Sequence, residues 1–226
     1  MIILSIDSTM SGCGVCLYDD NKKQVLASKT LEISRGQAEH LMPMIDDIVE
    51  SYNCIDLIAV TKGPGAFTGM RIGLATAKAL GLALGIPVCG VSTFQAIFQT
   101  YMSLEEAQNH AFYGVLLETK RQDYYFQLFD KNGVYADSLC ATAQEVSSII
   151  DNRECIILGD AASRFRAESS DFEHLSFYDI LQPSPAIIAQ IAGQEYSNGA
   201  FDCSPIYLRL PEIGKPKNIP RKLQVK

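Results

Sequence analysis

The chain has 226 residues, 47% of them hydrophobic and 20% charged, with a formal net charge of −7. This is the balance of a globular protein of one large or two modest domains. The acidic sum disfavours unaided nucleic-acid binding, which needs clustered Lys and Arg. The most apolar stretch, residues 79–91, is too short and too broken by Gly81, Gly85, Pro87 and Gly90 to span a bilayer.

In chain order, residues 2–7 read as a strand and not as a signal peptide, because no cationic segment precedes them and they end on Asp7. A polar turn at 8–12, a strand at 13–18, a turn at 19–22 and a strand at 24–33 complete a meander. Ser34 and Gln37 have the S-x-x-Q spacing of a capping box, and the helix after them places Leu41, Ile45, Ile48, Val49 and Tyr52 along one stripe. Pro43 either kinks that helix or marks its true first turn. Residues 55–61 (IDLIAVT) are short, apolar and β-branched, as in a buried parallel strand, and 69–84 read as a long helix of small residues. A strand at 87–91 and a helix capped at Ser92-Thr93 and running to about Met102 close a first unit.

A second unit opens at Ala111. Strand 112–118, polar turn 119–123, strand 124–130 and turn 131–133 repeat the opening pattern, so Asp7 and Glu118 occupy matching places, as an internal duplication would leave them. A helix at 143–151 behind a Thr142 cap, a strand at 154–158 and a helix at 185–197 follow. The predicted domains are 1–102, 103–214 and a basic, flexible tail at 215–226, with the linker near 103–110. The tail holds Lys215, Lys217, Arg221, Lys222 and Lys226 and no acid; setting aside its five positive charges, the net −7 leaves −12 on the preceding 214 residues. It reads as a disordered segment that solubilises or docks weakly.

Residues 62–73 (KGPGAFTGMRIG) carry the strongest local pattern. Gly63 and Gly65 permit a sharp reversal with Pro64 between them, and Thr68 is a plausible N-cap that leaves the amides of Gly69, Met70 and Arg71 at a positive helix end. Such an end attracts anions. No GK[ST] closes the loop and no GxGxxG spacing is present, so a purely structural tight turn competes with anion binding and is preferred. The seven cysteines fit reduced core thiols. Cys13 and Cys16 lie three apart, but within a strand their side chains face opposite sides and share no ligand site.

Two segments, ILSIDST at residues 3–9 and GPGAFTGMRIGLATAKALGLALGIPVCGVSTFQAI from Gly63, together with His40-Leu41-Met42-Pro43 and Pro205-Ile206-Tyr207-Leu208-Arg209, resemble the TsaB (YeaZ) family, partner proteins in bacterial tRNA threonylcarbamoyladenosine synthesis. The resemblance is dense in the first 100 residues and thin beyond them. It implies an α/β fold of two ribonuclease-H-like lobes of the actin, hexokinase and Hsp70 type, the second less regular. It further implies a cytoplasmic, non-catalytic subunit that pairs with the transferase TsaD and the ATPase TsaE, forms a homodimer when alone, and meets tRNA mainly through its partner.

In the related transferase an H-x-x-x-H pair on the first long helix holds a metal ion. The corresponding residues here are His40 and Met44, and a thioether does not replace imidazole for such an ion. His40 therefore reads as a polar helix residue near an interface, and His110 and His174 as surface or structural residues. An actin-type nucleotide site would use Asp7, Ser8, Thr9, Glu118 and Gly159, but the first turn has no Lys or Arg, residues 157–163 have one glycine, and Asp160 adds a carboxylate. That site reads as vestigial, with ATP or ADP entering only in an assembled complex; strand-end capping competes for Asp7, and a small actin-type ATPase or kinase is the alternative function. The expected partner interface comprises His40, Met44, Ile48, Gly69, Met70, Gly73 and Ala77.

Overall fold

Strands that are covered on both sides read as unbroken apolar runs, and the first sheet of the computed structural model follows from that rule. The structure describes residues 1–50, 52, 54–168, 173–199 and 201–209; the tail expected at 215–226 lies outside the described residues. The first lobe comprises β1 (Ile2–Asp7), β2 (Cys13–Asp19), β3 (Gln24–Leu31), α1 (Gln37–Val49), β4 (Leu57–Thr61), α2 (Phe67–Leu84), β5 (Val88–Val91) and then α3 (Thr93–Met102). The sheet order is β3-β2-β1-β4-β5; β1, β2 and β3 form the antiparallel meander, and β4 and β5 run parallel to β1. Side chains alternate faces. Leu4, Ile6, Val15, Leu17, Ile58 and Val60 pack under α1 and α2, whereas Ile3, Cys16, Tyr18, Leu57 and Ala59 pack on the other side. Cys13 and Cys16 accordingly belong to different faces.

The second lobe repeats the plan with β6 (Phe112–Glu118), β7 (Asp123–Asp130), β8 (Gly133–Val134), β9 (Leu139–Thr142), α4 (Ala143–Ile150), β10 (Cys155–Leu158), α5 (Ala162–Glu168) and β11 (Leu175–Tyr178), followed by α6 (Pro185–Ser197). Its order is β11-β10-β6-β7-β8, with β9 paired to β7. The Thr142 cap of α4 is a reciprocal box: the Glu145 amide donates to Thr142 Oγ1 at 3.4 Å, and the Thr142 amide donates to Glu145 Oε2 at 2.8 Å. The elements beyond the sequence expectation are β8, β9, α5 and β11. Each has seven residues or fewer, too few for a periodicity to register.

Three boundaries differ from expectation. Helix α1 begins at Gln37 after a left-handed Gly36, with no side-chain cap from Ser34, and runs through Pro43. Helix α2 begins at Phe67 with Ala66 as its N-cap, so Thr68 lies inside the first turn and does not cap it. The helices also cross between lobes. Phe94, Ile97, Phe98 and Tyr101 of α3 pack on Tyr113, Val115, Phe129 and Ile156 of the second sheet, while Ile187, Ile188, Ile191 and Ala192 of α6 pack on Ile3, Tyr18 and Leu57 of the first. The Ser5 hydroxyl donates to the Pro185 carbonyl at 2.6 Å, tying α6 to β1. The segment 103–214 is therefore not a separate packing unit: its last helix covers the other lobe.

Candidate functional site

The two hairpin turns of the repeat, β1-β2 and β6-β7, meet a cleft of about 1000 Å³ that is also bordered by the loop before α2 and by residues 206–209. Their chemistry differs. Asp7 ends β1 at 1% exposure, and its Oδ1 accepts from the Thr9 amide at 3.2 Å and from the Thr9 and Thr61 hydroxyls at 2.6 Å each. The Thr93 hydroxyl donates in turn to Thr9 Oγ1 at 3.3 Å, joining the start of α3 to this network. Burial pushes the Asp7 carboxyl up from its ordinary value, against the pull of those hydrogen bonds. Ser8 donates to the Gly69 carbonyl at 2.8 Å, and Met10 inserts into the second lobe's core beside Phe94 and Tyr113. The first turn is thus a packed element whose Asp7 carboxylate accepts through Oδ1 from Thr9 and Thr61, while its buried Oδ2 has no hydrogen-bond partner among the described residues.

Helix α2 closes over this turn because its first residues lack bulk. A Cβ on Gly69 would strike the Ser8 carbonyl oxygen, and one on Gly73 would lie 2.6 Å from Ser8 Oγ. The preceding loop approaches as closely: Gly63 has φ +96, and the Ala66 amide donates to the Thr9 carbonyl at 2.7 Å. The glycines of residues 62–73 thus serve close packing, and Met70 and Leu74 point into the core with them.

The second turn is open. Lys120, at φ 59, and Arg121 are exposed at its tip, and the Thr119 hydroxyl donates to the Asp123 carbonyl at 2.7 Å. Glu118 is half-buried and pairs with Arg164 at 3.2 Å, the guanidinium lying 3.9 Å from the Tyr124 ring centroid. Gly159 at φ +113 brings residues 159–160 against Leu116, and the Glu118 amide donates to Asp160 Oδ1 at 2.9 Å. Burial, reinforced by the Glu118 charge, pushes the Asp160 carboxyl up to about 7. Of the five residues expected to form a nucleotide site, Asp7, Ser8 and Thr9 are buried in the first turn, while Glu118 and Gly159 stand on the second lobe.

The structure corrects the expected interface. Met44, Ile48, Gly69, Met70, Gly73 and Ala77 are buried in the lobe's own core, so they face the sheet and not a neighbour; among the seven expected residues His40 alone is exposed. The outward face of α2 consists of Thr68, Arg71, Ala75, Lys78, Ala79 and Leu82, and Leu82 is 87% exposed. Burial of Met44 also removes it from His40 as a co-ligand, and no group of three His, Cys, Asp or Glu side chains suited to a metal ion exists among the described residues.

Sequence reasoning missed the segment 201–209, which straps the lobes together. Lys62 Nζ donates to the Asp202 carbonyl at 3.0 Å and pairs with its carboxylate at 3.3 Å, and the Ile206 amide donates to the Lys62 carbonyl at 2.8 Å. Tyr207 accepts from Arg71 Nε at 3.1 Å and its ring lies 5.6 Å from that of Phe67, whose own centroid is 3.7 Å from the Arg71 guanidinium carbon. Leu208 then packs in the second lobe's core and Arg209 pairs with Asp123. The available signal was Phe67 four residues before Arg71, one helical turn apart.

The family model described as TsaD, tRNA N6-adenosine threonylcarbamoyltransferase, matches residues 24–145. A Haemophilus influenzae relative named tRNA threonylcarbamoyladenosine biosynthesis protein TsaB is 26% identical over 232 residues, covering 92% of this chain and 94% of its own. Among solved structures, YeaZ from Pseudomonas aeruginosa has a TM-score of 0.75 at 20% identity, covering 92% of this chain and 99% of its own. A ROK family glucokinase from Streptomyces griseus, crystallised with glucose and AMPPNP, has a TM-score of 0.53 at 9% identity, covering 86% and 100%. Both structural likenesses are likenesses of fold.

Proposed function

The chain belongs to the TsaB (YeaZ) family, and we propose from that premise that it serves tRNA threonylcarbamoyladenosine biosynthesis as a non-catalytic subunit, pairing with a TsaD-type transferase and a TsaE-type ATPase. The observation that carries this reading is the closure of the first turn. A metal-assisted phosphoryl site needs a carboxylate that reaches the ion and donors that reach the phosphates. Here Asp7 is 1% exposed and engaged by Thr9 and Thr61, Met10 is committed to the second lobe's core, and neither Lys nor Arg stands within residues 8–12. The chain alone accordingly holds no Mg-nucleotide at that turn, and ATP or ADP enters through groups that the partners add. No helix among the described residues is long and apolar enough to cross a membrane, and a cytoplasmic site of action accords with the tRNA substrate.

The outward face of α2 is the partner surface in this reading. Ala75 and Ala79 let a neighbouring helix approach closely, and Leu82, 87% exposed, supplies apolar area that a lone chain leaves in water. The same face serves a two-fold homodimer when no partner is present, since the partner is a structural relative.

Reconstitution of transferase, ATPase, tRNA and threonylcarbamoyl-adenylate tests the role. Omission of this chain abolishes multiple turnover, and Leu82→Glu abolishes co-purification with the transferase while leaving the isolated chain folded, because the position is solvent-exposed. Full turnover without the chain, or Mg-ATP hydrolysis by the chain alone that is lost in Asp7→Ala, overturns the reading.

A further inference from the structure

The acidic sum of the chain is reversed inside the cleft. Arg35, Arg71, Lys120, Arg121 and Arg209 border it against two carboxylates, Glu118 and Asp160. Glu118 is already paired with Arg164. Burial pushes the Asp160 carboxyl up to about 7, which weakens its charge near neutral pH. On the positive side, Arg209 pairs with Asp123, and the side chains of Arg35, Lys120 and Arg121 reach the surface. A concave wall of low dielectric focuses such a field on whatever enters. The same rim presents rings: Phe67 is 50% and Tyr207 47% exposed, 5.6 Å apart and tilted by 41°. The Arg71 guanidinium carbon lies 3.7 Å from the Phe67 centroid and its Nε donates to the Tyr207 hydroxyl, a bond that leaves the two terminal nitrogens outside it. Those nitrogens form an edge through which Arg grips phosphate oxygens.

We propose that this rim is a metal-independent binding site for one nucleoside-phosphate unit, its base stacked against Phe67 and Tyr207 and its phosphate held by Arg71, Lys120 and Arg121. Aromatic rings set among cations are the general means of holding an unpaired nucleotide, because every base has a stacking face and every linkage a phosphate. The site lies on the outer rim, on α2, the second turn and the strap, and uses neither Asp7 nor the sealed first turn. Two sources offer such a unit, a free nucleotide and an unpaired residue of RNA, and both present the same chemistry. The inference stands on the cleft and not on the non-catalytic reading, so its failure leaves the reconstitution result untouched.

The test measures binding to the full chain in EDTA at low salt, with four probes: a labelled single-stranded oligoribonucleotide, AMP, adenosine and inorganic phosphate. The oligoribonucleotide or AMP binds, whereas adenosine and phosphate each bind at least about tenfold more weakly, since adenosine has no phosphate to grip and phosphate no base to stack. Binding of AMP identifies a free nucleotide as the source; binding of the oligoribonucleotide without AMP identifies RNA. Lys120→Gln/Arg121→Gln lowers the affinity and flattens its salt dependence by about one unit of slope for each phosphate-gripping cation removed. Phe67→Leu lowers affinity about tenfold with the salt slope unchanged. Equal binding of phosphate and AMP, undiminished binding by the two rim variants, or no binding of any probe overturns the proposal.

Discussion

The turn of the first hairpin, residues 8–12, lies beneath α2 with Met10 in the neighbouring lobe's core, whereas the turn of the second, residues 119–123, stands in solvent with Lys120 and Arg121 at its tip. The strands on either side match: each sheet has an antiparallel hairpin at its centre and parallel strands beyond it. The difference comes from the helix that follows the adjacent parallel strand. Helix α2, of 18 residues with Gly69 and Gly73 on its inner face, settles onto the first turn, while α5 has seven residues and contributes Arg164, which reaches back to Glu118 and to the Arg121 carbonyl at 2.7 Å. The duplicated hairpins therefore differ in exposure through the length and packing of the neighbouring helix.

The comparison is broken most forcefully at Gly69. Because a Cβ there meets the Ser8 carbonyl oxygen, a backbone atom that cannot swing aside, Gly69→Ala costs about 3 kcal/mol in a urea unfolding experiment. A cost no larger than that of an exposed helical glycine replacement would show that α2 does not seal the turn. The next effect is on the second lobe. The Asp160 carboxyl sits at about 7 in the fold against 3.8 when free, so the native state retains a proton that the unfolded chain has released. Stability from this group is present below pH 4 and is lost as pH rises from about 4 to about 7. Asp160→Asn keeps the oxygen that accepts from the Glu118 amide and removes the charge. At pH 8 the variant is more stable than the natural chain by about 4 kcal/mol, and the two converge near pH 4. A constant difference across that range would contradict the buried state of Asp160. The smallest effect belongs to Glu118→Gln, which breaks a half-exposed ion pair with Arg164 and costs about 0.5 kcal/mol in low salt and less in high salt. A larger loss would mean that the second turn, too, depends on packing.

Much of this was legible in the chain. The meander, the strands expected at 55–61 and 87–91, the Thr142 cap and the duplicated Asp7 and Glu118 positions all rest on local patterns, and local patterns survive folding because period-2 alternation and capping act within a few residues. The glycines at residues 62–73 read as a tight turn, and the close approach of that segment to Thr9 and Ser8 shows such a turn. Six of the seven residues expected at the interface are buried for a definable reason. The stripe of Met44, Ile48, Met70 and Ala77 is the apolar face of each helix, and an apolar face is claimed first by the helix's own sheet; the surface left for a partner is the opposite, mixed face, where Leu82 stands.

The sequence by itself determined most of the elements, the duplicated hairpins and the family, because each is written in contiguous runs of the chain. Only the tertiary structure decided that α3 and α6 exchange lobes, that Met10 enters the second lobe's core, and that Phe67, Arg71, Tyr207 and Arg209 gather on one rim. Those arrangements join distant residues, as Ser5 and Pro185 are at 180 positions apart. No periodicity couples such positions; they meet only because burying both faces of two sheets leaves the chain one way to bring its last helix and strap back across the first lobe.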